Sequence, residues 1–240
     1  MTDDHENERG ASARIAPTAR KPAQRRSRLR FETLLDAANR LLAEKETTDV
    51  GLYDIAAAAG VPPASVYHLF PTKEAAFAAL TERYLAGLSE HILQPVDLSS
   101  VQKWQEFVLL EMHRAIEFYN SHPVMLKLLF GANVVRDVRL LDVQNVDRTA
   151  GSAYGRMDQY FEMPYVHNPN LKFATVIGIY DGIWMTSYAR HGRITEEFAR
   201  ESGLAAVAYC ETFLPPALPL RDPRRGGGSA GKASAGVEPA

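Results

Sequence analysis

The sequence is short of several things, and each shortage removes a class of explanation. It has one cysteine, Cys210, in 240 residues. No internal disulfide and no cysteine-built zinc cluster can form, which suits a reducing cytoplasm. Net charge is nearly absent, −2 at pH 7. That argues against whole-molecule attraction to nucleic acid; any such contact must use locally concentrated charge. Long hydrophobic runs are missing too. The most apolar stretch, Phe173 to Met185, contains Asp181 and is too short for a comfortable membrane span, so no membrane partner is expected. The first residues are polar and acidic, without the apolar segment of a signal peptide, and none is expected. No nucleophile elbow, phosphate loop, metal-ligand set or cofactor fingerprint stands out, so neither an enzyme nor a bound cofactor is expected.

What is present suffices for a real core, since 46% of the residues are hydrophobic. Residues 1–26 read as disordered and become basic toward their end, where Arg14, Arg20, Lys21, Arg25 and Arg26 follow Asp3, Asp4, Glu6 and Glu8. Residues 215–240 read as a disordered tail, rich in Gly, Ala and Ser from Gly226 onward. Both ends lack the apolar content that offsets ordering entropy. Between them the pattern is helical. Phe31, Leu34, Leu35, Ala38, Leu41 and Leu42 share one face at 3.6 spacing, with Ser27 a plausible cap. A short helix over Leu52–Ala59 breaks at Gly60. Pro62 and Pro63 suit the first turn of a third helix, which Phe70-Pro71 ends. Thr72 can cap a fourth, with Phe77, Leu80, Tyr84 and Leu88 on one stripe. Further helices are expected from about Val101 to Tyr119, from Pro123 to Gly131, from Val134 to Phe161, from Asn168-Pro169 to Arg190, and from Thr195 to Pro215-Pro216. No alternating strand and no internal repeat is found.

The segment from Asp54 to Val61 carries the functional signal. Two short helices crossing steeply need small side chains where their backbones meet, and Ala56 and Ala59 supply them. The turn needs a residue tolerant of positive φ, and Gly60 supplies that. Ile55, Val61, Val66 and Leu69 can fill the shared core. This is the pattern of a helix-turn-helix, whose second helix can enter a major groove. At the start of that helix, Ser65 can hydrogen-bond a base or phosphate, while Pro62, Pro63 and Ala64 offer apolar contact, for example to a thymine methyl. Tyr67 and His68 carry donors suited to phosphate oxygens. Lys73, in the first turn of the next helix, adds a point charge beside exposed amides.

The run DIAAAAGVPPASVYHLFPTK, Asp54 to Lys73, resembles the TetR family of bacterial regulators. The Ile-Ala, Ala-Gly-Val, Tyr, Phe and Lys of the family pattern all stand at the expected spacing, and Leu34-Leu35-Asp36-Ala37-Ala38 matches the preceding helix. The resemblance spans roughly residues 28–88. It implies an all-α chain: a three-helix DNA-binding domain over 27–90, then a helical ligand-binding and dimerisation domain over 91–214. It implies that Gly51, Ser65, Tyr67, His68 and Lys73 face DNA, a set that Arg28 and Leu52 join. It also implies a homodimer, usually a repressor, released from a double-stranded operator by a small-molecule effector. Two positions depart from the pattern. Gly51 stands where the family often has a Thr or Ser that caps the helix and meets phosphate, and Pro63 where it often has Lys or Arg. The basic stretch Arg20 to Arg30 can compensate as an arm along the backbone or in a minor groove.

Ala174, Gly178, Gly182 and Thr186 recur at i+4 on one helix. Small residues there permit close helix approach, either within the chain or across a dimer seam. The resemblance implies a seam built from the last two helices of each subunit, and a palindromic operator follows from two-fold symmetry. His113 and Glu117 are i,i+4 and could share a metal, but local spacing supplies no third ligand and no metal is expected. The aromatic residues between Trp104 and Tyr188 can pack a core or line an apolar pocket, and no effector-binding residue can be named. Two other readings stay open at this stage: a helical interaction module of the same fold that has lost specific DNA binding, and a helical enzyme.

Overall fold

The computed structural model describes residues 18–21, 24–97, 99, 101–134 and 136–221. Among them are nine α-helices and one 3-10 turn, with an isolated antiparallel bridge between Phe161 and Leu220 in place of any sheet. The chain is all-α, as expected. It divides into two compact units that part between Ala79 and Leu80, inside the fourth helix.

The first unit holds α1 (Arg25–Glu44), the 3-10 turn (Thr47–Asp49), α2 (Leu52–Ala59), α3 (Pro63–Leu69) and the start of α4 (Lys73–Ile92). The predicted stripe of α1 is buried at Phe31, Leu34, Leu35, Ala38 and Leu42, and Ile55, Ala56, Val66, Leu69 and Phe70 of the same unit are buried with it. The Phe31 and Phe70 rings lie 4.9 Å apart and tie α1 to the end of α3. Thr72 caps α4, its hydroxyl accepting from Ala75 N–H at 3.1 Å. One cap is corrected. α1 starts at Arg25, ahead of Ser27, and its N-cap Gln24 makes no side-chain bond to the first turn. Arg25 and Arg26 are therefore helical rather than part of a disordered lead-in. The remainder of that lead-in lies outside the described residues, apart from 18–21 and Gln24.

The second unit holds the rest of α4, then α5 (Trp104–Ser121), α6 (Pro123–Phe130), α7 (Arg136–Tyr160), α8 (Pro169–His191) and α9 (Glu196–Cys210). Punctuation residues set these ends. Pro123 and Pro169 take first-turn positions, and Thr195 caps α9 by accepting from Phe198 N–H. Trp104, Met125, Phe161 and Trp184 are fully buried at the centre. Each indole finds an acceptor, Trp104 the Pro215 carbonyl and Trp184 the Ser202 hydroxyl, both at 2.9 Å. This satisfies the one polar atom that a buried Trp carries.

A charged network sits in the same unit. Arg156, 6% exposed, reaches Glu111 through Nε at 2.9 Å and through a second nitrogen at 3.2 Å. Arg114 joins at 3.3 Å. The two guanidinium groups also donate to the carbonyls of Ile92, Leu93, Gln94 and Pro95. Ile92 is the last residue of α4 and the other three follow it, so the network satisfies one terminal helix carbonyl and pins the chain that leaves the helix. α9 ends at Cys210, short of the expected Pro215. Residues 215–221 are corrected as well: they form no loose tail start. Pro215 and Pro216 accept from Trp104 and Gln105, while Glu162 N–H donates to Pro219 and Arg221 N–H to Tyr160. Residues 222–240 lie outside the described residues.

Candidate nucleic-acid interface

The turn between α2 and α3 is built by backbone bonds that only glycine permits cheaply. Gly60 adopts φ 65°, the left-handed conformation. Gly60 N–H then reaches the Ala57 carbonyl and Val61 N–H the Ala56 carbonyl, both at 3.1 Å. This pair of bonds is a Schellman motif, which closes a helix and turns the chain sharply. Pro62 sits at the N-cap of α3 and Pro63 at its first position, where a missing N–H costs nothing. Ile55 and Val66 are completely buried and Leu69 nearly so, locking the two helices together. Val61 contributes only a half-buried edge.

The outer face of α3 carries Pro62, Pro63, Ala64, Tyr67 and His68, all exposed, with Ser65 half-buried beside them. No Lys or Arg occurs between Gly51 and Thr72. The face is therefore neutral, made of apolar surface and hydroxyl, phenol and imidazole groups. Arg28 is exposed on the first turns of α1, with Arg25, Arg26 and Arg30. Of the basic lead-in, Arg20 is tied down by its backbone, its N–H donating to the Leu69 carbonyl at the end of α3 at 2.9 Å.

Three expectations change at the start of α2 and α4. Leu52, expected to face DNA, is 8% exposed, and its side chain belongs to the core. Gly51 has no hydroxyl, and its N–H is spent on the Asp54 carboxylate at 2.8 Å. Lys73 is no freestanding point charge. Its ammonium donates to the carbonyls of Thr47 at 3.1 Å and Thr48 at 3.3 Å, binding the start of α4 to the 3-10 turn ahead of α2.

Another exposed side chain carries no expectation from the sequence. Tyr53, beside Leu52 in the first turn of α2, is 66% exposed. Its ring meets Tyr67 edge-on, with centroids 5.8 Å apart and planes at 73°. Loss of solvent, then the neighbouring Tyr53 phenol, raises the Tyr67 pKa, so the Tyr67 phenol stays a protonated donor at neutral pH. The only sequence signal was a large aromatic in a helix otherwise dominated by alanine.

The α8 stripe faces outward. Gly178 and Gly182 are exposed, and a Cβ built on either meets nothing within 4 Å among the described residues. Ala174 and Thr186 flank them half-buried, the Thr186 hydroxyl bonded to the Gly182 carbonyl. At Gly178 and Gly182 the missing side chains thus serve no helix crossing among the described residues. Met185 on α8 and Leu204 on α9 extend the exposed apolar surface. His113 and Glu117 pair on the surface at 3.3 Å, and no group of three metal-ligating residues occurs among the described residues. Cys210 is buried, and burial pushes its thiol up to about 12, far from a reactive thiolate. An open cleft of about 520 Å³ at the α8–α9 turn is lined by Asn120, His191 and residues 193–197, a mostly polar set. No described helix is long and apolar enough to cross a membrane.

Residues 34–80 match the family described as bacterial regulatory proteins, tetR family. An uncharacterized HTH-type transcriptional regulator of Mycobacterium tuberculosis is 29% identical over 101 residues, 42% of this chain and 49% of the relative. The chain thus matches about half the length of that curated relative. Among solved structures, a TetR transcriptional regulator from Rhodococcus sp. RHA1 is similar over 76% of this chain and 96% of its own, with 20% identity and a TM-score of 0.55. A TetR-family regulator from Streptomyces coelicolor is similar over 78% and 98%, with 19% identity and a TM-score of 0.57. SmeT, the repressor of the Stenotrophomonas maltophilia multidrug efflux pump SmeDEF, is similar over 85% and 97%, with 14% identity and a TM-score of 0.54. At these identities the structures show a shared fold. The N-terminal match is the more specific finding: residues 34–80, which hold α2, the Gly60 turn and α3, carry the helix-turn-helix domain of the bacterial regulatory proteins of the tetR family.

Proposed function

We propose that the chain is a homodimeric transcriptional regulator of the cytoplasm that binds a palindromic double-stranded operator and is released by a small-molecule effector. The observation that carries the reading is the α2–Gly60–α3 unit. Its core side is fixed by Ile55, Val66 and Leu69, while its far side leaves Pro62, Pro63, Ala64, Ser65, Tyr67 and His68 to contact a groove. In this role Ser65 and the prolines meet base edges, and Tyr67 and His68 meet phosphates. Gly51 lies at the end of α2 that faces the backbone, Arg28 supplies charge from α1, and Lys73 holds the 3-10 turn in place. Residues 27–90 form the DNA-binding domain in this reading, and residues 91–214 the regulatory and dimerisation domain. Ala174, Gly178, Gly182 and Thr186 form the seam, supported by the open space over both glycines. Repression is the sign carried over from SmeT, which shares the fold. The effector enters the second unit, and no catalytic step is assigned to any residue.

The experiment is a gel shift of the full-length chain on its own upstream DNA at stated salt, repeated with duplexes recovered from a random library. A retarded, sequence-selective complex is expected. No selective binding in either set would favour the second reading, an interaction module of the same fold, which the uncharged face of α3 supports.

A further inference from the structure

The N-cap of α2 offers a phosphate neither a side-chain hydroxyl nor a free N–H. Gly51 carries no hydroxyl, and its N–H is taken by Asp54. Leu52 is buried. The Asp54 carboxylate brings negative charge to the turn where a phosphate would lie, which disfavours close approach through the amides alone. The side-chain donor that this turn presents to solvent is the phenol of Tyr53, the most exposed aromatic among the described residues of the first unit.

Its setting is organised. Tyr67 of α3 buttresses the Tyr53 ring edge-on at 5.8 Å, a favoured geometry for aromatic pairs. A phenol has only two side-chain torsions to fix, so a braced tyrosine makes a contact at little entropic cost. The first helix of a helix-turn-helix crosses the phosphate backbone while the second enters the groove. Tyr53 stands on the first helix, beside a residue of the second.

We propose that Tyr53 is a DNA-contact residue of this chain, an uncharged phenol donor to a backbone phosphate that Tyr67 holds in position. The inference rests on the DNA-binding reading above and deepens it. It has a signature that a lysine or arginine contact lacks. A neutral donor releases no counterion, so its share of the affinity does not vary with salt.

The test uses the full-length chain and a duplex recovered from a random library with the wild-type protein. Affinities are measured across a salt series, and Tyr53→Phe and Tyr53→Arg are compared with wild type. Tyr53→Phe removes only an exposed hydroxyl, and circular dichroism and thermal unfolding check that the fold is unchanged. Expected is an affinity loss of about tenfold per site, the scale of a hydrogen bond to a charged group, with a salt slope parallel to wild type. Tyr53→Arg should restore binding and steepen the slope by about one ion per site. Wild-type affinity for Tyr53→Phe overturns the inference while leaving the DNA-binding reading standing. So does a Tyr53→Phe loss accompanied by a shallower slope. Failure of the wild-type chain to select any duplex overturns both.

Discussion

Replacing Lys73 with methionine separates two roles for one ammonium group. Methionine keeps the unbranched apolar stem and deletes the charge and its donors. In the structure those donors meet the Thr47 and Thr48 carbonyls at 3.1 and 3.3 Å, the first partly buried and the second exposed. Stranding a buried carbonyl costs about 1–3 kcal/mol. Because one of the two bonds faces water, the lower half of that range applies, about 1–2 kcal/mol. For a domain of this size each kcal/mol shifts the unfolding midpoint by about 4–8 °C. The assay pairs thermal and urea unfolding with a salt series of DNA affinity. The expected outcome is a lower midpoint with the salt slope nearly unchanged, because the ammonium is already engaged by the chain's own carbonyls. The reasoning is refuted if Lys73→Met unfolds like wild type while the slope falls by about one ion per site. Lys73 would then be a phosphate contact, and its bonds to the 3-10 turn would be worth nothing.

Other perturbations probe the parts around it. Gly60→Ala meets no neighbour within 4 Å, so its cost is conformational only: about 1–2 kcal/mol for the left-handed backbone, less a few tenths to 1 for the stiffer unfolded chain. Urea unfolding should show a net loss near 1 kcal/mol, and unchanged stability would contradict the turn geometry. Glu111→Ala strands Arg156, whose side chain is 7% exposed, and should cost about 3–5 kcal/mol in thermal unfolding; a loss under about 1 kcal/mol would mean that water reaches the network. The Glu106 pKa is lowered by the Gln102 and Lys103 N–H groups at the start of α5. A depressed carboxyl pKa contributes stability above the unfolded-state value that is lost as pH falls through the folded one, so Glu106→Gln should flatten the acid limb of a stability–pH curve. Combined Gly178→Leu and Gly182→Leu changes meet open space in the single chain. They should raise helix stability yet abolish self-association in sedimentation, and a persisting dimer would remove α8 from the seam.

The legible parts of the sequence were those written in local chemistry. Pro123, Pro169, Thr195 and Gly60 mark helix ends because proline, a capping hydroxyl and a left-handed glycine act within one turn. The α1 stripe was readable because it repeats over a 20-residue helix. α2 has 8 residues, too few for periodicity to settle its phase, so neither the burial of Leu52 nor the exposure of Tyr53 is legible in the sequence. The partners of Lys73 lie 25 and 26 residues back in the chain, a pairing that only the folded unit creates. The start of α1 was hidden for a different reason: Gln24 caps nothing, and the first turn holds no acid. Residues 215–221 looked like tail because prolines and polar groups suggest one, while the bonds that hold them come from α5 and α7.

The neutral face of α3 also constrains how tight binding could be reached. With no Lys or Arg between Gly51 and Thr72, the two reading helices release few counterions on approaching DNA. The missing charge stands nearby. Arg25, Arg26, Arg28 and Arg30 crowd the first turns of α1, a helix end with no acid and no side-chain cap. Cations oppose the helix dipole there, so this end is electrostatically unfavourable in the isolated chain. A phosphate close to it would reverse that sign, meeting both the guanidinium groups and the positive end of the dipole. Affinity and selectivity then fall on different elements. The arginines of α1 supply the salt-dependent attraction that any duplex satisfies, the tyrosine pair a hold on the backbone that does not weaken with salt, and the prolines and Ser65 the base-edge contacts that select a sequence. Raising the salt should therefore strip non-specific binding faster than operator binding, and selectivity should widen as total affinity falls.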